Sequence, residues 1–218
     1  MEEHSLQHDH ELEEHPPWWK GPVKLIITIF LLLIITMWVF SYYAVKLDPE
    51  PKNIPTIDDV VPKNLEPDPD SITNNINNIQ LTPNDPEIKL IADKIASSSC
   101  DGSKVCQAKA IFYFVRDNFD YVSDPNAFEY IKSAKQSLVS GGGDCDDASV
   151  LLANLLESIG IKTRFILIPK HVYVQASIPE ATKRHKAEDD WVNLDATCKN
   201  CKFGEIPYQS ANKPTRFI

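Results

Sequence analysis

The most apolar stretch of the chain, LIITIFLLLIITMWVFSYYAV from Leu25 to Val45, carries no charge. At 1.5 Å per residue it is long enough to cross a hydrocarbon layer about 30 Å thick. Trp18 and Trp19 precede it, and Trp38, Phe40, Tyr42 and Tyr43 close it, as aromatic residues do at the two interfaces of a span. A cleaved signal would have a shorter apolar region and a small-residue cleavage site. The pattern therefore predicts one transmembrane helix over 23–45. Lys20 and Lys24 on one side balance Lys46 and Lys52 on the other, so positive charge leaves its orientation open.

The pattern then changes twice. DPEPKNIPTIDDVVPKNLEPDPD, residues 48–70, has six prolines and no helical period, and Asn74, Asn75, Asn77 and Asn78 follow. Such a chain cannot form a regular ladder and is expected to be extended, which predicts a Pro/Asn-rich stalk over 46–81. From 82 to 218 the periodicity is that of a packed domain. Asp85-Pro86-Glu87 is a helix start, followed by Ile88, Ile91, Ala92 and Ile95 at helical spacing. A second helix is expected over 103–118, with Val105, Ala108, Phe112 and Val115 as its stripe. A third begins near Cys145, where Ala148, Leu151, Leu152, Leu155, Leu156 and Ile159 continue one face until Gly160 stops it. Cys145 extends that face by one step and should point inward. Beyond Gly160 the period shortens to two: 164–168, 171–176 and 191–195 read as strands. No repeat is visible, and the order predicts an α+β fold.

Charge narrows the function classes. The net charge is −9, which is unlike the basic face that nucleic-acid binders use to neutralise phosphates. Much of the excess lies in residues 1–22, expected to form a disordered acidic tail. The tail also holds His4, His8, His10 and His15, a set without a scaffold to make it more than a weak metal site.

The candidate chemistry centres on Cys145. A thiol attacks as thiolate, and a helix N-terminus favours that form through its unpaired N–H groups and dipole. Gly141, Gly142 and Gly143 before it leave room for a carbonyl to approach the sulfur, and the turn's N–H groups could hold an oxyanion. The competing reading is an inert cysteine on a core face. A hairpin with His171 opposite Asp195, Tyr173 opposite Asn193 and Gln175 opposite Trp191 would supply a base and the carboxylate that orients it. Taken singly, His171 also fits a solvated strand end and Asp195 a turn-initiating acid.

GGGDCDDASVLLANLLESIGIKTRFILI, residues 141–168, resembles the nucleophile segment of transglutaminase-like proteins, in which Gly-x-Cys leads into a leucine-rich helix, a Gly-Ile turn and a strand. His171-Val172-Tyr173-Val174 is similar to the family's histidine strand, and Trp191-Val192-Asn193-Leu194-Asp195-Ala196-Thr197 to its tryptophan-to-aspartate strand. The resemblance covers about residues 105–197. It implies a papain-like α+β core, a Cys-bearing helix on an antiparallel sheet, with Cys145 as nucleophile, His171 as base and Asp195 as orienter. Asp146 and Asp147 look more like prokaryotic members than the animal cross-linking enzymes. The loop between the last two strands is long, and no calcium-site signature of paired acidic loops is found.

Four cysteines remain. Cys100 with Cys106, and Cys198 with Cys201, can pair locally and leave Cys145 as the odd thiol, which suits a thiol enzyme in an oxidising space outside the cytoplasmic membrane. The competing arrangement is one zinc site built from all four thiolates. Together these features predict a membrane-anchored, single-pass thiol acyl-transfer enzyme acting on amide or peptide bonds of a protein or peptide substrate, with water or an amine as acceptor and no cofactor implied. The alternative is a noncatalytic scaffold of the same fold that binds proteins or cell-envelope polymers. A redox or metal module on Cys198 and Cys201 is less supported, because no clear helix follows that motif.

Overall fold

A computed structural model of the chain describes residues 17, 20–67, 73–125 and 130–218. It divides into two units, 1–44 and 45–218. The acidic tail expected over 1–22 lies outside the described residues apart from positions 17 and 20–22.

The first unit holds most of α1 (Lys20–Leu47). Its stretch Gly21–Tyr43 is long and apolar enough to cross a membrane. The hydroxyls of Thr28, Thr36 and Ser41 donate back to helix carbonyls three or four residues earlier, so none of them needs water.

In the second unit the segment expected to be a free stalk behaves differently. Residues 48–65 lie on the domain: Lys52 N–H donates to Ser99 O at 2.9 Å, and Asn118 Nδ2 to Pro55 O at 3.2 Å. The short α2 (Ile57–Val60) is closed by a capping box between Thr56 and Asp59. Val60 and Leu65 are buried in the main core, and Ile54, Ile57 and Val61 pack against it. Further on, Ile76, Ile79 and Leu81 join the same core, and Thr82 N–H donates to Asn154 Oδ1 at 2.7 Å. Proline removes donors but leaves apolar neighbours free to bury, and burying a Val or Leu side chain is worth about 1.5–3 kcal/mol.

Its first residues hold a charged knot. Lys109, completely buried, pairs with Asp48 and Glu50 at 2.6 Å each; His185 Nε2 and Arg184 also reach the other oxygen of Asp48. Burial alone would raise the Asp48 carboxyl, but the bonds from Lys109, His185 and Arg184 outweigh it and hold it at about 2.

The helical layer is α3 (Pro86–Ser99), α4 (Lys104–Asn118), α5 (Ala134–Ser140) and α6 (Cys145–Ser158). Asp85, Ser103 and Ser133 cap the first three, close to where the sequence places the first two. Two two-residue strands, β1 (Asp120–Tyr121) and β2 (Gly142–Gly143), pair in parallel. The main sheet has the order β5-β6-β4-β3-β7 and is antiparallel. Its strands are β3 (Thr163–Ile168), β4 (His171–Ser177), β5 (Lys186–Glu188), β6 (Trp191–Leu194) and β7 (Arg216–Phe217). Val172, Val174, Ala176, Val192 and Leu194 share the main core with α6 leucines 151, 152, 155 and 156, whereas Tyr173 joins a second cluster with Ile166 and Ile168. A helix carrying Cys145 thus covers one face of an antiparallel sheet. The expected α+β class agrees with this architecture.

The register of β4 on β6 differs from expectation by two residues. Gln175 pairs with Asn193 and Ser177 with Trp191, so Tyr173, rather than His171, falls across from Asp195. A slip of two preserves the side-chain faces. Alternation in the sequence fixes parity and leaves the pairing itself to the connection 178–190, which was expected as a long loop and carries β5.

Candidate active site

Asp144 builds the turn that presents the cysteine. Its side chain accepts from Asp146 N–H at 3.1 Å, and Asp147 reaches back to Asp144 N–H, closing a capping box at the start of α6. Asp147 is fully buried and accepts from Lys132 N–H at 2.7 Å and Lys132 Nζ at 2.5 Å. Room for it comes from Gly143, where a Cβ would lie 2.6 Å from the Cβ of Asp147. Gly142 passes as closely to the strand beside it, since a Cβ there would lie 2.9 Å from Asp120 O. Two of the three glycines therefore serve close packing as well as access.

Cys145 follows, half-buried and the free cysteine of the chain. Its Sγ donates to Asp146 Oδ1 at 3.4 Å. Burial, then the charge of Asp146 and that of Asp144, push the thiol up to about 12, while a backbone contact from Val172 pulls the other way. The helix N-terminus was expected to lower it; in the resting structure burial and two adjacent carboxylates win. Asp144 is itself raised by its own burial and by Asp147. The N–H of Cys145, ahead of the first intrahelical bond, has no hydrogen-bond partner among the described residues. Asp144, Cys145 and Asp146 also bring three ligand-type atoms within 4.8 Å of one another.

His171 opens β4, one residue before Val172, and Ser149 Oγ of α6 donates to Val172 O at 3.3 Å. The helix start and the strand start are therefore adjoining. His171 Nε2 lies 2.8 Å from Asp195 Oδ2, reached diagonally across the β4–β6 ladder. Nδ1 has no partner among the described residues. The Tyr173 ring stacks with the imidazole at 6.3 Å between centroids. Asp195 is 1% exposed, and its second oxygen accepts from Thr197 N–H at 3.2 Å and Thr197 Oγ1 at 2.7 Å. His171 and Asp195 are thus in contact, as the sequence suggested, whereas Cys145 bonds to Asp146 and not to His171. Missed from sequence were Lys132, Asp147 and Thr197; the Asp144-x-x-Asp147 spacing of a capping box was the one available signal.

The other four cysteines are joined in neighbouring pairs. Cys100–Cys106 and Cys198–Cys201 have S–S distances of 2.03 and 1.97 Å. Each sulfur is bonded within its own pair, so the single four-cysteine zinc site is not formed.

Residues 90–196 match the family model of the transglutaminase-like superfamily, the family that the sequence motifs resemble. Among solved structures, Legionella pneumophila LapG aligns at 14% identity and a TM-score of 0.44 over 74% of this chain and 82% of that one. A candidate cysteine protease from Cytophaga hutchinsonii aligns at 20% identity and 0.40 over 51% of this chain, which spans 37% of that protein. A candidate protease from Parabacteroides distasonis gives 16% and 0.39, with 50% and 26% covered. No curated protein matches the chain in sequence.

Proposed function

We propose that the chain is a membrane-anchored cysteine hydrolase of peptide or amide bonds, with Cys145 as nucleophile, His171 as base and Asp195 as its orienter. The observation that carries this reading is the 2.8 Å contact between His171 Nε2 and Asp195 Oδ2, made at the end of β4 that adjoins Cys145. Asp195 holds the Nε2–H tautomer, which leaves the Nδ1 lone pair to take the thiol proton. For attack, Sγ rotates away from Asp146 and passes its proton to Nδ1. The thiolate adds to the substrate carbonyl, the Cys145 N–H donates to the oxyanion, and the imidazolium returns the proton to the leaving amine. Water then hydrolyses the thioester. The two disulfides favour an oxidising space outside the cytoplasmic membrane, with α1 as the anchor.

The test is cleavage of a peptide mixture by the full chain in detergent, followed by mass spectrometry. Cys145→Ala and His171→Ala should abolish cleavage, and Asp195→Ala should slow it about 100-fold or more. Cleavage that survives Cys145→Ala would refute the assignment. No cleavage by the wild-type protein would favour the noncatalytic scaffold. An added amine that appears in the products would show transfer in place of hydrolysis.

A further inference from the structure

The carboxylate that orients His171 is fixed by a turn that ends in a disulfide. Asp195 O accepts from Cys198 N–H at 3.2 Å, and Cys198 O accepts from Cys201 N–H at 3.0 Å. Two consecutive turns therefore share Cys198. Within the first, Thr197 holds Asp195 Oδ1 by both its N–H and its hydroxyl, leaving Oδ2 for His171. The second is closed covalently by Cys198–Cys201. It is also tied to the end of α4: Arg116 Nη1 donates to Cys201 O at 2.8 Å, and Lys199 Nζ to Phe119 O at 2.6 Å. Those ties reach residues 199 and 201, while Cys198, next to Thr197, is held by the disulfide and by one backbone bond at each of its polar groups. Cys201 is buried at 6% exposure and Cys198 is half-buried, so Cys198 is the more open member of the pair.

We propose that the Cys198–Cys201 disulfide is a redox-cleavable brace for the His171–Asp195 pair, so that its reduction switches the site down. The inference rests on the assignment of that pair to catalysis. A dithiol reductant supplies the two electrons: its thiolate attacks the Cys198 sulfur and forms a mixed disulfide, Cys201 leaves as thiolate, and the second thiol of the reductant closes to its own disulfide. Two protons complete the Cys198 and Cys201 thiols. Without the bond, the second turn loses its covalent closure, Cys198 is held by its two backbone bonds alone, and the Asp195 carboxylate loosens from the pose that holds the imidazole. A misplacement on the scale of an ångström in a catalytic group costs about 100-fold.

The test uses the full chain carrying Cys100→Ser and Cys106→Ser, so that dithiothreitol acts on one disulfide, with cleavage of Cys198–Cys201 followed by mass spectrometry. One readout is the downfield proton resonance of the His171 Nε2–H, assigned with His171→Gln. The other is peptide cleavage, compared between the reduced and air-reoxidised protein with Cys145 kept as thiol. The resonance should be sharp when oxidised and broaden or vanish on reduction, with activity falling about 10- to 100-fold. A Cys198→Ser/Cys201→Ser variant should reproduce the reduced state whether or not dithiothreitol is present, its fold checked by circular dichroism. An unchanged resonance after complete reduction would overturn the brace. A resonance that responds in a protein that cleaves nothing would uphold the brace and remove the catalytic assignment instead.

Discussion

Lys109→Met tests the charged knot that binds residues 48–50 to the domain. The Lys109 side chain has no exposure, and its partners Asp48 and Glu50 are 8% and 59% exposed. Removing one partner of a buried pair costs about 3–5 kcal/mol because a charge is left uncompensated. Here Glu50 can turn to water, and Asp48 keeps Arg184 and His185, so the expected cost is lower, about 2–3 kcal/mol. For a unit of this size that corresponds to roughly 5–10 °C in melting temperature. Asp48→Asn should cost a similar amount, because it strands the fully buried ammonium with Glu50 alone. In the double variant the costs should fall short of their sum by about 1–2 kcal/mol, as expected for groups in contact. Proton linkage gives a second readout. The Asp48 carboxyl is held down at about 2, so its contribution, about 2 kcal/mol, is complete above the ordinary carboxylate pKa. It disappears as the pH falls from about 4 through 2. The stability gap between wild type and Asp48→Asn should close over that window. A cost below about 0.5 kcal/mol for Lys109→Met, or strict additivity in the double variant, would mean that the knot does not hold the segment.

Three other expectations follow from the same geometry. Gly143→Ala places a Cβ against Asp147 and should cost about 1–3 kcal/mol with loss of peptide cleavage; an unchanged thermal melt would contradict that packing. A thiol raised to about 12 by burial, Asp146 and Asp144 predicts iodoacetamide labelling of Cys145 that is slow at neutral pH and still rising above pH 10, with Asp146→Asn labelling faster at each pH. A plateau near pH 9 would rule out the raised value. A domain started at residue 70 lacks Val60 and Leu65 and should be less stable than one started at 48 by about 3–6 kcal/mol, measured by urea denaturation; equal midpoints and slopes would show that the segment contributes nothing.

The parts of the fold legible in the sequence are those whose signal is local. Asp85 announces a helix start through its own cap, and the apolar stripe from Ala148 to Ile159 needs no partner to be recognised. His171 and Asp195 could be matched because alternation puts both on one face of their strands. What failed depended on contacts distant in sequence. The β4–β6 pairing was misjudged by two residues because alternation is unchanged by such a slip. Ile54, Val60 and Leu65 have no period among the prolines, so only the surface of α3 and α4 reveals them as core. Lys109 sits between Ala108 and Ala110 and looks like a solvated helix position until Asp48 is brought to it. The thiol was misjudged for a related reason. The helix start is visible in the chain, but the burial that outweighs it is a property of the assembled site.

The neutral thiol of Cys145 bears on how one cysteine stays unpaired in a chain whose other four are joined as disulfides. Attack on peroxide and on another disulfide both proceed through thiolate. With the proton held toward Asp146 Oδ1 and the pKa near 12, the sulfur is a poor partner for either. The burial and the adjacent carboxylates that keep it unreactive at rest thus shield it from sulfenic acid and from mixed disulfides with small thiols. Durability in an oxidising medium and slowness toward small alkylating agents are then two expressions of one arrangement.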